Sequence, residues 1–286
     1  MTATDNISEI FDRSRRRTVR DRAYVRAHGE DFLHKEMADE LYDRLQLVSR
    51  SFNRCLLIGL GSQYLANKLR PIEMHQTIAD SSYLLSARAR GVQCDEDRLP
   101  FADASFDLVI SIGGLDTVND LPGALSLIRR VLKPDGLFLG AFIGAESLTT
   151  LKSTLLEAEG DRVRNHIHPQ IDIRTMGDLL QRTGFALPVV DSDTLKLRYG
   201  MVSRLIDDIR DFGGGNLLRS NIQPIQRSVT RFVPEFFTNR ADEQGKTTEY
   251  LEVIQVSGWA PHPDQPKAAP RGSGQLSLKN ALNDRS

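Results

Sequence analysis

The chain is poor in the residues that define several classes of protein. It holds two cysteines and one tryptophan in 286 residues, too few for a disulfide framework. Cys55 and Cys94 both lie in apolar or strand-like runs, which reads as free thiols in a reducing compartment and makes a cytoplasmic setting the expectation. No run approaches the eighteen or so apolar residues of a membrane span, so no integral membrane segment is expected. The N-terminus lacks the apolar core of a secretory signal, and Asp5, Glu9 and Asp12 among its arginines argue against a mitochondrial presequence. An excess of positive charge is also missing. Lys and Arg total 37 against 38 Asp and Glu, for a net charge of −1, and no aromatic residues interleave the basic ones, which excludes nucleic acid as a partner. Charge is instead uneven: Arg13, Arg15, Arg16, Arg17, Arg20, Arg22 and Arg26 crowd the start. This basic stretch reads either as a solvated helix face or as a lid or docking surface that complements an acidic partner.

What is present is a chain long enough for one large domain, or one domain with appendages, and for a sizeable core, with 40% hydrophobic side chains. Phe106 to Ile110 is a compact apolar run with β-branched residues behind the turn Ala102-Asp103-Ala104-Ser105, and it reads as a buried strand. Leu121, Leu125, Ile128, Val131 and Leu132 then recur at helical spacing, with Arg129, Arg130 and Lys133 at the end where cations favour the helix dipole. Pro134-Asp135-Gly136 stops that helix. Leu137 to Ile143 is almost wholly apolar, as a strand covered on both faces should be. The order is strand, helix, strand. Upstream, Cys55 to Ile58 reads as a strand, Gly59-Leu60-Gly61 as a turn open to close backbone approach, and Tyr64 to Leu69 as the start of a helix.

Three pieces, Leu99-Pro100-Phe101, Ser105-Phe106-Asp107-Leu108-Val109 and Leu132-Lys133-Pro134-Asp135-Gly136, stand in the order and spacing of class I S-adenosylmethionine-dependent methyltransferases, which the chain resembles. The resemblance implies an α/β, Rossmann-like fold: a mostly parallel seven-stranded sheet with helices on both faces, here with an N-terminal helical extension. It implies a methyltransferase whose acceptor, protein or otherwise, is unidentified. It also implies cofactor contacts: Gly59, Leu60 and Gly61 at the methionine end, Asp80 at the ribose, and Asp95 with Glu96 at the adenine. A carboxylate at the end of the second strand accepts both ribose hydroxyls, although Asp80 ahead of a helix also reads as a cap. No metal and no covalent nucleophile is implied, because the reaction needs donor and acceptor held in line.

The chain departs from that pattern in the methionine half. Leu57 stands where the superfamily places an acid, Gln63 where it places a third glycine, and Asp116-Thr117 where relatives carry an aromatic pair. Weakened S-adenosylmethionine binding is the expectation, and Asp116 reads as a loop or cap residue or as an acid or base beside a substrate.

A narrower resemblance rests on Ile10-Phe11-Asp12-Arg13, Asp31-Phe32-Leu33, Leu41-Tyr42-Asp43-Arg44, Val118-Asn119-Asp120-Leu121-Pro122, Gly258-Trp259 and Pro270-Arg271-Gly272-Ser273-Gly274. These residues are similar to the branch that holds the malonyl carrier-protein methyltransferases of biotin synthesis and an assembly factor of respiratory complex I. That branch implies two alternatives: a weak or silent assembly factor for the complex, with one of its subunits as partner, or a protein side-chain hydroxylase on the same fold.

The remaining segments set the expected boundaries: a helical extension over 1–48, a methyltransferase-like domain over 49–260 with a helical insertion around 199–245, and a low-order tail over 261–286. A second amphipathic helix is expected from about Phe32 to Leu47, a second strand over Glu73 to Ala79, and late strands over Val189 to Leu197 and Tyr250 to Val256. His166-x-His168 lacks further ligands at metal spacing and reads as a loop near the mouth of the site. Gly213-Gly214-Gly215 reads as a hinge or helix stop, and Trp259 as a core anchor.

Overall fold

A computed structural model of the chain describes residues 9–27, 31–160, 166–220, 225–262 and 264. Continuous apolar runs make the central strands: β1 (Arg54–Ile58), β4 (Phe106–Ile112) and β5 (Leu132–Ile143) are buried along nearly their whole lengths, as strands covered on both faces must be. With β2 (His75–Asp80), β3 (Val92–Gln93), β6 (Ala186–Tyr199) and β7 (Thr247–Trp259) they form one seven-stranded sheet in the order β3-β2-β1-β4-β5-β7-β6. The β3 to β5 portion is parallel, and β7 runs antiparallel to both β5 and β6. This is the mostly parallel sheet that the sequence predicts. Its order reverses between β1 and β4, and a cleft opens beyond the strand ends at such a switch point.

Helices cover both faces. Beneath α2 (Phe32–Gln46), α3 (Ser62–Lys68), α6 (Thr149–Glu159), α8 (Val202–Asp211) and α9 (Arg227–Thr238) lies a core that includes Leu33, Met37, Leu65, Leu205 and Phe237. On the other face α5 (Leu121–Val131) and α7 (Ile173–Arg182) bury Leu125, Ile128, Met176 and Leu180. The helix α4 (Tyr83–Ala89) follows β2, and its N-cap is Ser82, whose side chain accepts from Leu85 N. The insertion between β6 and β7 is α8 and α9, and Gly213 and Gly215 follow α8 at φ of +77° and +153°, so the glycine run is indeed a helix stop.

Several boundaries move. The strand β5 begins at Leu132, directly where α5 ends, so Pro134-Asp135-Gly136 lies within the strand and does not separate it from the helix. Asp135, at φ +59°, is clasped there by the chain beyond β7: Asp135 N donates to Ala260 O at 2.9 Å, and Ala260 N to Gly136 O at 2.8 Å. Pairing along a common ladder carries β6 and β7 two to three residues past their apolar runs at each end. The helical insertion expected around 199–245 starts after Tyr199, which ends β6, with α8 beginning at Val202. No described helix is long and apolar enough to cross a membrane. The tail expected over 261–286 lies almost wholly outside the described residues.

The largest departure is α1 (Arg13–Ala27). Its buried residues are Arg16, Arg20 and Ala23, so it has almost no apolar face. It packs beside α4 and α8, over the strand ends where the sheet order reverses.

Candidate active site

The cleft is built from the ends of four strands, β1, β2, β3 and β4. The backbone turns sharply after β1 at Gly59, where φ is +109° and an added Cβ would stand 2.0 Å from Ile112 O. Glycine is required there because the β1 turn presses against the end of β4. A Cβ at Gly61 would lie 2.5 Å from Ile112 Cγ2 and 3.2 Å from His34 Cβ. His34, on α2, is pinned by Asp31, which accepts at 2.6 Å from its Nδ1 and caps the helix at His34 N. Leu57 is fully buried and registers between Ile78 and Ile110. Apolar packing therefore takes the place of an acid.

Asp80 ends β2, and Asp95, Glu96 and Asp97 follow β3. All four carboxylates are buried, and arginines of α1 hold all four. Arg20 spans both oxygens of Asp80 through Nε and Nη2 and also donates to Gly113 O at 3.3 Å. Arg16 clasps Glu96 with two bonds of 2.8 Å and reaches Ser81 Oγ, Gly114 O and Thr117 Oγ1. Arg17 donates to Asp95 Oδ2 at 2.6 Å, and Arg13 holds Asp97 through two bonds of 2.7 Å. Such forked pairs are the strong form of the ionic hydrogen bond.

The face of the basic segment that carries Arg13, Arg16, Arg17 and Arg20 is thus turned inward, while Arg22 and Arg26 are exposed. It is an internal lid on the acids assigned to the cofactor. Asp80 accepts from Ser82 N as well, but Ser82 makes the cap. Gln63, the residue that breaks the glycine pattern, accepts from Tyr24 Oη of α1 at 3.0 Å. One departure from the superfamily is therefore a tether for the lid.

A lid was one of the two readings of the sequence, but that the acids it meets are the chain's own was missed, although a signal was present. Arg13, Arg16, Arg17 and Arg20 fall at i, i+3, i+4 and i+7, which puts them on one helix face. That periodicity, usual for a buried apolar stripe, is written here in arginine.

The electrostatics follow from the pairing. Burial works against the charge on Arg20, but Asp80 opposite it, with Glu96 and Asp116 nearby, raises its pKa. Arg13 is likewise raised, chiefly by its bond to Asp97. Asp97 feels desolvation, which raises its pKa, and the stronger combined pull of Arg13, so it lies below the ordinary 3.8. A carboxyl whose pKa falls on folding contributes stability that is present above the unfolded value and is lost as pH falls through the folded one. The share of α1 docking that the Arg13–Asp97 pair supplies is therefore expected to be fully present above about pH 3.8 and to be lost as pH falls below it. Hydrogen exchange of the α1 amides, corrected for the intrinsic rate, checks this, and protection unchanged to pH 2 would contradict it.

A methyltransferase domain family matches residues 56–140. The arginine-hydroxylase NDUFAF5, mitochondrial, of Danio rerio is 32% identical over 94% of this chain and 88% of its own length. Its counterpart of the same name in Homo sapiens is 30% identical over 94% and 82%. The chain belongs to the NDUFAF5 family of class I methyltransferases. A malonyl-[acyl-carrier protein] O-methyltransferase of Laribacter hongkongensis is 28% identical over 89% of this chain and 92% of its own, so the NDUFAF5 family and those enzymes share a scaffold. Among solved structures, the YcgJ protein of Bacillus subtilis has a TM-score of 0.54 at 14% identity, over 78% of this chain and 99% of that one. The fold is shared.

S-adenosylmethionine is the cofactor of that superfamily. One observation bears on its fit: Asp95 Oδ1 is buried without a hydrogen-bond partner. Arg16 Nη1 stands 3.9 Å from it, and an adenine amine would supply the donor that it lacks.

Beside the cleft lies a cavity of about 480 Å³, within the usual range for ligand sites, under α6, α8 and α9. Leu151, Leu155, Ile206, Ile209 and Val233 form its walls, and Asp116, His166 and His168 also line it. The two histidines of His166-x-His168 thus stand at the site, as the sequence suggests. His166 pairs with Glu159 at 2.5 Å, and His168 Nδ1 donates to Gly215 O at 2.9 Å. Among the described residues no group of three potential ligands could hold a metal.

Proposed function

We propose that this chain binds S-adenosylmethionine in the cleft under α1 and transfers its methyl group to an arginine side chain of a protein partner. The carrying observation is the convergence of Asp80, Asp95 and Glu96 on one helix-covered cleft beyond β2 and β3. In this reading α1 lifts when the cofactor enters, because the oxygens of Asp80 and Glu96 serve Arg20 and Arg16 when the lid is down. Asp80 then takes the ribose hydroxyls and Asp95, with Glu96, the adenine amine, while Gly59, Leu60 and Gly61 line the methionine end. S-adenosylmethionine, when bound, supplies an electrophilic methyl group. The chain's own contribution is to hold donor and acceptor in line and exclude water. Arginine as the acceptor is supported by the names of the relatives that match most of the chain. A resemblance to complex I assembly factors makes a subunit of that complex the candidate partner.

A second reading, hydroxylation of the same arginine, is favoured by those relatives' names and by the loss of the methionine-end acid at Leu57. One experiment separates the two. Purified chain is incubated in air with S-adenosylmethionine, a two-electron reductant and the partner's arginine peptides, because hydroxylation takes one oxygen atom from O2 and reduces the other to water, and the products are weighed by mass spectrometry. A methyl gain supports the first reading, an oxygen gain the second, and no change with tight partner binding leaves an assembly role alone. Titration with S-adenosylhomocysteine checks the site itself: Asp95→Ala is expected to weaken binding at least tenfold, and unchanged affinity contradicts the adenine assignment.

A further inference from the structure

The cavity beside the cofactor cleft has one unusual charge. Asp116 lines it, is half-buried, and makes no hydrogen bond or ion pair with any described residue. Two groups near enough to sense its charge are Arg20 and His168. Neither neutralises it. Arg20 is committed to both oxygens of Asp80. His168 donates from Nδ1 to a carbonyl, which leaves Nε2 as a bare acceptor, buried and unpartnered. Burial also pushes the imidazole pKa down, so the ring is neutral at pH 7. Arg210 also lines the cavity, but its side chain is 62% exposed and pairs with Asp207, which puts it at the solvent side.

A carboxylate against apolar walls is costly unless a cation meets it. The walls supplied by Leu151, Ile206, Ile209 and Val233 suit a methylene stem and reject a wholly polar ligand. Position adds to this: Asp116 lines the cavity and follows closely on Gly113 and Gly114, whose carbonyls accept from Arg20 and Arg16 of the lid, so it joins the cofactor cleft to the cavity. A group seated on Asp116 is therefore next to the chemistry.

We propose that this cavity receives an apolar-stemmed cation and that Asp116 is its counter-charge, the residue that selects a guanidinium side chain over neutral side chains of the same shape. This rests on the reading of arginine as the acceptor and deepens it by naming the residue that recognises it.

Hexylguanidinium and its neutral isostere hexylurea are the probes, titrated calorimetrically into the full chain. The parent protein is expected to bind hexylguanidinium at least tenfold more tightly. Asp116→Asn is expected to bring the two affinities together, with hexylurea binding unchanged. Because Asp80 and Asp95 could also attract a guanidinium, Ile206→Trp, which fills the cavity, is expected to abolish binding of both probes. Equal affinities in the parent, a preference that survives Asp116→Asn, or binding that survives Ile206→Trp would each overturn the proposal. The outcome is separable from that of the function: a peptide arginine modified by Asp116→Asn with unchanged KM sinks the inference and leaves the reading intact, whereas selective probe binding without any arginine modification does the reverse.

Discussion

Arg20→Ala is expected to destabilise the fold by about 3–5 kcal/mol, the cost of stranding one partner of a buried ion pair. The affected group is Asp80, which is fully buried and has Ser82 N as its other partner. Arg20→Lys should be milder but not neutral, because an ammonium cannot span both carboxylate oxygens while also reaching Gly113 O. The more telling measurement is the rescue. If Asp80 serves the ribose when α1 is lifted, the ligand replaces what the substitution removed. Saturating S-adenosylhomocysteine should then raise the Tm of Arg20→Ala by several degrees more than that of the parent, since the parent must first break its own pairs. Equal shifts in the two proteins would mean that the arginines and the cofactor do not share oxygens. Urea unfolding gives the first quantity and a ligand series of melting curves the second.

Gly59→Ala is expected to be the most damaging single change in the cleft, above about 4 kcal/mol, because strain and collision coincide. Its φ of +109° disfavours any side chain, and the atom 2.0 Å from the new Cβ is Ile112 O, a backbone oxygen in the central ladder. Gly61→Ala makes an informative contrast. Gly61 has φ of −74°, so no backbone strain is added, and its nearest obstacle at 2.5 Å is Cγ2 of the buried Ile112 side chain, not a backbone atom. A loss of about 1–3 kcal/mol is expected there, the usual cost of overpacking. Comparable losses at both positions, measured by urea unfolding, would contradict the tight β1 to β4 junction.

Much of the fold was legible in local pattern. The apolar runs at Cys55–Ile58 and Phe106–Ile110, the helical spacing from Leu121 and the strand through Ile143 all appear where the periodicities put them. The site was legible only by position. Asp80, Asp95 and Glu96 do come together beyond the strand ends, but what they touch was not readable, because their partners lie 60 to 80 residues away along the chain. Arginine is read by habit as a surface residue, and nothing local to α1 says that its charge is matched inside. Gln63 shows the same blindness from the other side. As a missing glycine it looks like decay of a motif, whereas its hydrogen bond from Tyr24 makes it a functioning contact.

The near-absence of apolar side chains on the inner face of α1 has a further consequence. A helix is ordinarily kept in place by the hydrophobic effect, which is indifferent to protonation. This one borrows its interior from the carboxylates of another layer, and those carboxylates hold it only while they are ionised and unclaimed. Its order is therefore conditional where that of the remaining helices is not: whatever discharges or engages those four acids removes the ground on which the first turns of the protein stand.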